Sequence, residues 1–180
     1  MSNPSIPTSP LTVSPLITLG IDPGTTAIGY AVIESAGARP RLKTAGIFPA
    51  RADAHSARLI ELHRALSEIL TRWSPAAVGV ERIFFARNAK TAMAVAETRG
   101  AILLTTALAG ITLYEYTPLE IKKMVTGDGR ADKAQIKKMI ALTVDSAPER
   151  GARDDIFDAI AAAYCCAIGH RSAIQRKEIL

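Results

Sequence analysis

Four acidic residues occupy positions where a carboxylate is poorly suited to packing but well suited to chemistry. Asp22 follows a β-branched-rich run and precedes Pro23-Gly24, a pair that stops a strand abruptly. Glu81 closes another short apolar run. Asp155 and Asp158 lie three residues apart at the start of the last predicted helix, so they project from one side of it. A carboxylate held at the end of a rigid element is a good ligand for a metal ion or a polar group.

The chemistry of this set depends on charge neutralisation. Several carboxylates brought together repel one another strongly unless cations compensate them. Ligands that offer only oxygen favour hard divalent ions, Mg²⁺ or Mn²⁺. The three histidines are scattered and have no zinc spacing. Asp154 adds a carboxylate directly before Asp155, where acidic residues also cap helices, and the sequence leaves open which of these neighbours reaches a metal.

The hydrophobic pattern predicts the elements that position these residues. Three strands with short links indicate an antiparallel meander, and the later strands are reached across helices, as in parallel pairing. The last helix carries Asp155 and Asp158 at its start, and Asp158 lies on the edge of its apolar stripe, where a carboxylate requires a cation. The predicted strands are 16–22, 28–35, 42–48, 76–80 and 111–116, and the first two helices are Ser56–Arg72 and Ala89–Ala109. Capping patterns at Thr117 and Asp132 predict the starts of two further helices. The sequence therefore predicts an α/β fold, a mixed five-stranded sheet with helices on both faces.

Composition limits the class of protein. With 180 residues and 48% hydrophobic content, the chain suits one folded domain, predicted over 16–170. Residues 1–15, rich in Ser, Pro and Thr, are expected to form a disordered lead, and 171–180 a basic C-terminal tail. The net charge of +5 permits a polyanionic partner, and residues 122–138 hold six basic side chains. This stretch is either a nucleic-acid contact or a solvated helix face.

The two cysteines and the N-terminus bear on the compartment. Cys165 and Cys166 are adjacent, so they cannot form an ordinary disulfide, and we expect them to be buried thiols in a reducing compartment. The first residues lack the basic n-region of a secretory signal. We therefore expect a cytoplasmic protein.

Several motifs, taken in order, make the sequence resemble the RuvC family of Holliday junction resolvases. The Gly-Ile-Asp-Pro-Gly motif alone is moderately specific, but its combination with the later acidic motifs is strongly so. The resemblance covers about residues 16–170. The motifs are Leu19-Gly20-Ile21-Asp22-Pro23-Gly24, Val80-Glu81-Arg82-Ile83-Phe84, Ala86-Arg87-Asn88-Ala89 and Asp155-Ile156-Phe157-Asp158-Ala159.

This resemblance implies a ribonuclease H-like fold and a crossover junction endodeoxyribonuclease. The activity implied is symmetric hydrolysis of four-way DNA junctions with two Mg²⁺ ions, or Mn²⁺, in each site. A homodimer and the branch-migration proteins RuvA and RuvB are the implied partners. By the same resemblance, the catalytic and metal-binding residues are Asp22, Glu81, Asp155 and Asp158. The DNA-binding residues are Phe84, Arg87, Lys90, Lys122 and Lys133.

Three other functions fit parts of the sequence. Gly-Ile-Asp-Pro-Gly-Thr-Thr also resembles the first phosphate loop of sugar kinases, actin and chaperone ATPases, but those proteins need a second lobe with its own glycine-rich loop. A ribonuclease H-like nuclease that processes RNA would share the carboxylates. A non-catalytic junction-binding module would not need the complete carboxylate set. The small residues of 89–109 leave a further choice open, between packing on the core and contact in a dimer.

Overall fold

A computed structural model describes residues 14–24, 27–82, 89–148 and 151–177. Most of the predicted N-terminal lead, residues 1–13, lies outside the described residues, as do 178–180. The strands are β1 (Leu16–Asp22), β2 (Gly29–Ser35), β3 (Arg41–Ile47), β4 (Ala77–Glu81) and β5 (Thr112–Tyr116). The helices are α1 (His55–Trp73), α2 (Ala89–Leu108), α3 (Pro118–Thr126), α4 (Lys133–Thr143) and α5 (Asp154–Lys177).

The five strands form one sheet in the order β3-β2-β1-β4-β5. β1 pairs antiparallel with β2, and β2 antiparallel with β3. β4 pairs parallel with β1 on one side and with β5 on the other. The predicted sheet, three antiparallel strands followed by two parallel ones, is confirmed. This arrangement puts β1, which ends at Asp22, at the centre of the sheet.

Local signals place the ends of the helices where the sequence predicts them. Ser74 ends α1 in the left-handed conformation, with φ of 42°, and donates its backbone N–H to the Leu70 carbonyl. Capping boxes start α3 at Thr117 and α4 at Asp132, so two otherwise unpaired backbone donors are satisfied at each end. The predicted ends of α1 and α2 are within one residue of those observed. α5 continues to Lys177, so the described part of the predicted C-terminal tail is helical.

Helices cover both faces of the sheet because alternate strand residues are apolar on both sides. On one face, Leu19 and Ile21 are fully buried in a cluster with Leu62 and Leu66 of α1 and Ile102 of α2. On the other face, α3, α4 and α5 pack around a second cluster. β1 is packed on both faces, through Leu19 and Ile21 on one side and through the contacts of Thr18 and Gly20 with α5 on the other, so its end is held from both sides.

α5 runs across the centre of the second face. Its apolar stripe is rich in alanine, and Cys165 and Cys166 are buried within it as free thiols, as the sequence predicts. Burial raises the pKa of both thiols to about 12, so they remain protonated near neutral pH. Across the described ranges, no helix combines the length and apolarity needed to cross a membrane.

Candidate functional site

The parallel pairing of β1 and β4 brings the first two carboxylates to one edge of the sheet. Ile21 is aligned with Val80, so the next residues along the two strands are Asp22 and Glu81. Both strands end here, and Pro23 follows Asp22 directly. Because the carboxyl ends of neighbouring parallel strands meet at one edge, the two acidic side chains become neighbours without a long loop to order.

Glycines on the sheet bring the first turn of α5 to the same edge. A Cβ atom at Gly20 would overlap the carbonyl oxygen of Ala159 and the backbone nitrogen of Ala163. A Cβ at Gly29, the strand partner of Asp22, would overlap the backbone carbonyl of Asp155. Only glycine permits this backbone-to-backbone contact between strand and helix. The contact places the start of α5, with its carboxylates, beside the end of β1.

The electrostatics of Asp22 and Glu81 show that the carboxylates interact. Burial raises the pKa of Asp22 to about 7, and the negative charges of the other three carboxylates add to the shift. Burial likewise raises the pKa of Glu81 to about 7, with a further contribution from Asp158. Burial also raises the pKa of Asp158, although Lys133 opposes the change. Carboxylates arranged in this way require a cation or a proton at neutral pH.

Lys133, at the start of α4, supplies a positive charge to this group. Its Nζ lies 3.4 Å from Oδ2 of Asp158 and 3.5 Å from Oδ2 of Asp154. The carboxylate charge of Asp158 raises the pKa of the lysine in turn. Asp155 is paired differently, since Nε of Arg153 donates to its Oδ2 at 3.1 Å. The site is thus an acidic cluster, formed by Asp22, Glu81, Asp155 and Asp158, with Lys133 at one side.

The chemical type of these side chains suits a hard divalent cation, but their positions do not form a coordination site. All four candidate ligands are carboxylates, the oxygen donors that Mg²⁺ and Mn²⁺ prefer. No group of three or more acidic, histidine or cysteine side chains within the described residues is arranged to hold a metal ion. The predicted metal set therefore remains a prediction that requires the carboxylates to reorient, while their electrostatic coupling places them in one neighbourhood.

The predicted DNA-binding residues fall into three groups. Phe84 and Arg87 lie outside the described residues, and the side chain of Lys90, at the start of α2, is not among those described. Lys122 is half-buried on α3, where no described interaction joins it to the acidic cluster. Lys133 is the predicted basic residue that the fold brings to the carboxylates.

Two contributors to the site were not predicted from the sequence. Lys137 forms a 2.6 Å ion pair with Asp154, and its Nζ lies 5.2 Å from the centre of the Phe157 ring. The spacing of Lys133 and Lys137 was a usable signal, because residues four apart share one helix face. Arg153, which pairs with Asp155, carried no comparable signal, since it precedes α5 in a connecting segment.

Deprotonation of the buried carboxylates should make the free energy of unfolding depend on pH. The variant Asp22→Asn removes the contribution of Asp22, so comparison with wild type measures it. A raised carboxyl pKa means that the folded protein binds more protons than the unfolded chain between about pH 4 and pH 7. Wild type should therefore lose stability relative to Asp22→Asn as pH rises across this window, by on the order of 2 kcal/mol. Urea unfolding of both proteins in a chelator at several pH values measures the difference.

Wild type must be compared with the variant because other carboxylates change the stability with pH in the opposite direction. Hydrogen bonding to Arg99 lowers the pKa of Glu115, and hydrogen bonds at Thr117 lower that of Glu120, so these groups add stability as pH rises. They are unchanged in the variant and cancel in the difference. A difference that stays constant, or that favours wild type increasingly towards pH 7, would contradict the buried and coupled carboxylates.

The sheet order and the helices on both faces define a ribonuclease H-like fold, with the acidic residues at one edge of its sheet. A structure described as the yeast mitochondrial Holliday junction resolvase Ydc2 shares this fold, with a TM-score of 0.64 at 14% identity, over 82% of this chain and 76% of that one. A sequence model described as crossover junction endodeoxyribonuclease RuvC matches residues 18–166. This chain belongs to the RuvC family.

Individual relatives agree with this assignment. The RuvC of Roseiflexus sp. (strain RS-1) is 41% identical over 149 residues, which cover 82% of this chain and 88% of the relative. The RuvC of Desulforamulus reducens is 44% identical, over 83% and 92% of the two chains. The T. thermophilus RuvC structure, solved in complex with a Holliday junction substrate, has a TM-score of 0.81 and 30% identity, over 88% of this chain and 96% of that chain. The predicted resemblance is confirmed.

Proposed function

We propose that this protein is a structure-selective endonuclease that resolves four-way DNA junctions in recombination and repair. The observation that carries the proposal is the coupled group of Asp22, Glu81 and Asp158 at one sheet edge, with Lys133 beside it, in a chain of the RuvC family. The net charge of +5 suits a DNA substrate. Family membership also removes the two-lobed ATPase hypothesis, because the match covers most of the chain.

The proposed reaction is phosphodiester hydrolysis that leaves a 5′-phosphate and a 3′-hydroxyl. Two Mg²⁺ ions, or Mn²⁺, would supply an activated water and stabilise the leaving oxygen. Asp22, at the end of the central strand β1, would hold the ions together with Glu81, Asp155 and Asp158. Because burial and neighbouring negative charge raise the pKa of Asp22 and of Glu81 to about 7 in the absence of a cation, protons compete with cations for the site, so at limiting Mg²⁺ cleavage should increase as pH rises towards 7.

The basic residues would act on the DNA rather than on the metal. Lys133, whose Nζ lies 3.4 Å from Oδ2 of Asp158, would approach a phosphate next to the carboxylates and compensate negative charge that develops there. Lys122 on α3 would contact the backbone, since phosphate contacts position a nucleic acid without reading its sequence. We propose in addition that Phe84, Arg87 and Lys90 contact bases or backbone at the crossover. Junction shape would dominate recognition.

A panel of substrates tests this function against the RNA-processing alternative. Matched four-way junction, linear duplex and RNA–DNA hybrid substrates are incubated with enzyme and Mg²⁺, and initial rates are compared. We expect the junction to be cleaved fastest. Faster cleavage of the hybrid would instead identify an RNA-directed nuclease, and binding without cleavage of any substrate would identify a junction-binding module.

We also propose a homodimer formed through one face of α2. Met93, Leu104 and Leu108 are spaced by eleven and four residues, so they lie on the same side of the helix, and each is more than 60% exposed. At Gly100, on the same face, an added Cβ would meet no atom within 4 Å, which leaves room for a partner helix. Exposed apolar residues in one stripe are typical of a protein interface. Two-fold symmetry would give two sites per junction.

Substitution Leu104→Glu should convert the dimer to a monomer, because it introduces a charge into the centre of this apolar face. Sedimentation equilibrium at micromolar concentration measures the change in mass. Leu142→Glu is the matched control, since Leu142 on α4 is exposed to a similar extent but lies outside α2. A Leu104→Glu protein that sediments like wild type would place the interface elsewhere.

Two further statements belong to the same proposal. RuvA and RuvB are the expected partners, and they would bring the branch point of the junction to the nuclease by branch migration. The cytoplasm, where free thiols such as Cys165 and Cys166 stay reduced, is the expected compartment.

A further inference from the structure

Four charged side chains that end at Asp158 of the acidic cluster alternate in sign. Lys137 Nζ lies 2.6 Å from Oδ1 of Asp154, and Lys133 Nζ lies 3.5 Å from Oδ2 of the same carboxylate. Lys133 in turn lies 3.4 Å from Asp158. The order is therefore lysine, aspartate, lysine, aspartate, and it leads from the surface of α4 towards the half-buried acidic cluster.

Helix geometry explains why Asp154 has two partners. Lys133 and Lys137 lie one turn apart on α4, so their like charges oppose each other. Lys133 is also the first residue of its helix, where the helix dipole disfavours a positive charge. Asp154 is the first residue of α5 and offsets both effects, since each of its two oxygens faces one ammonium group.

Lys137, the first lysine of this row, is held in position by two contacts. Its ammonium lies over the ring of Phe157, which is almost fully buried, while its pair with Asp154 is the shortest in the row. The side chain of Lys137 is also less exposed than that of Lys133, 36% against 66%. The better-held lysine therefore restrains Asp154, and Asp154 restrains the more exposed one.

Asp154 and its neighbour Asp155 have different surroundings. Asp155 interacts with Arg153 and contributes to the electrostatic environment of Asp22. The contacts described for Asp154 are instead with the lysines of α4. Both residues act electrostatically on Asp158, but Asp155 and not Asp154 is among the charges that raise the pKa of Asp22, which favours Asp155 as the carboxylate directed to the cluster.

We propose that Asp154 is a positioning residue that holds Lys133 beside the acidic cluster, where the lysine can meet a scissile phosphate. The proposal rests on the proposed junction-cleaving function. A cation bound at Asp158 would weaken the attraction between Asp158 and Lys133. The ion pair with Asp154 would then keep Lys133 near the site. Lys137 contributes indirectly by fixing Asp154.

The expected kinetic effect is modest and specific. Exposed ion pairs contribute little, so Asp154→Asn should lower the single-turnover cleavage rate of bound junction by about two- to fivefold. Junction affinity should change much less, because the variant removes a negative charge and leaves every lysine in place. Asp154→Glu, which keeps the charge, should restore part of the rate.

Epistasis distinguishes positioning from direct metal binding. In a Lys133→Ala background, Asp154→Asn should cause no additional loss of rate, since its effect passes through Lys133. Calorimetric titration with Mn²⁺ should give the same affinity for Asp154→Asn as for wild type, and a weaker one for Asp158→Asn. Asp145→Asn, which removes a surface ion pair with Arg39, is the matched control and should cleave at the wild-type rate.

Several results would overturn the proposal. An unchanged rate in Asp154→Asn, an additive loss in the double variant, or weakened Mn²⁺ binding would each exclude a positioning role. If wild type cleaves no junction, the proposed function fails, and the ¹⁵N NMR signal of the Lys133 ammonium decides the inference separately. Loss of the ion pair should shift that signal in Asp154→Asn but not in Asp145→Asn, and an unchanged signal would contradict the contact.

Discussion

Replacing Asp22 by Asn is expected to reduce the rate of junction cleavage by about 10²–10³-fold or more while the protein still binds junctions. Asn keeps the size and one oxygen of the side chain but removes the negative charge at the centre of the acidic cluster. Cation binding depends on that charge, whereas binding of the DNA backbone depends on lysines and arginines. Single-turnover cleavage with saturating enzyme measures the rate, and gel mobility of the junction measures binding.

Asp53→Asn provides a control for the loss of one surface carboxylate. Asp53 is exposed in the segment between β3 and α1 and should be silent in both assays. Because the charge at Asp22 is destabilising above pH 7 without cations, Asp22→Asn should unfold at a higher temperature than wild type in chelator. A variant with full activity and unchanged stability would contradict the central position assigned to Asp22.

Gly20→Ala is expected to lower the free energy of unfolding by about 3 kcal/mol. The new methyl group would overlap the backbone of α5 at Ala159 and Ala163, and backbone atoms cannot move aside as a flexible side chain can. Such a loss corresponds to a decrease of about 6–12 °C in Tm. Thermal and urea unfolding monitored by circular dichroism measure it.

The same substitution should also impair cleavage at temperatures where the protein remains folded. A displaced α5 would move Asp155 and Asp158 away from Asp22, and small displacements of reacting groups are costly in rate. Gly37→Ala is the matched control, because a Cβ there meets nothing within 4 Å, and its stability should equal that of wild type. Equal stability of both variants would mean that α5 does not contact β1 through Gly20.

The elements were predictable from the sequence because their signals are local. Pro23-Gly24 ends β1, residues at spacings of three and four define α1, and the capping boxes at Thr117 and Asp132 start α3 and α4. Asp158 was also identifiable, since a carboxylate on the edge of an apolar stripe indicates partial burial with a cationic partner. Its half-buried side chain and its pair with Lys133 agree with that reasoning.

The close contacts between elements were not predictable, because they depend on which surfaces meet. Nothing in the sequence near Gly20 or Gly29 indicates that a helix from the other end of the chain lies against them. The different ion-pair partners of Asp154 and Asp155 have the same origin. Adjacent residues on a helix point in directions about 100° apart, so only the position of α4 determines which one meets lysines.

The most direct test of the proposed function is the mapping of cuts in a synthetic four-way junction. Junctions labelled on each strand are incubated with the protein and Mg²⁺, and the products are then treated with DNA ligase. We predict paired nicks at symmetric positions in two strands of like polarity, and these nicks should be sealed by the ligase because they carry a 5′-phosphate and a 3′-hydroxyl. Intact junctions, or unpaired cuts that ligase cannot seal, would contradict the assignment of this chain as a junction-resolving nuclease.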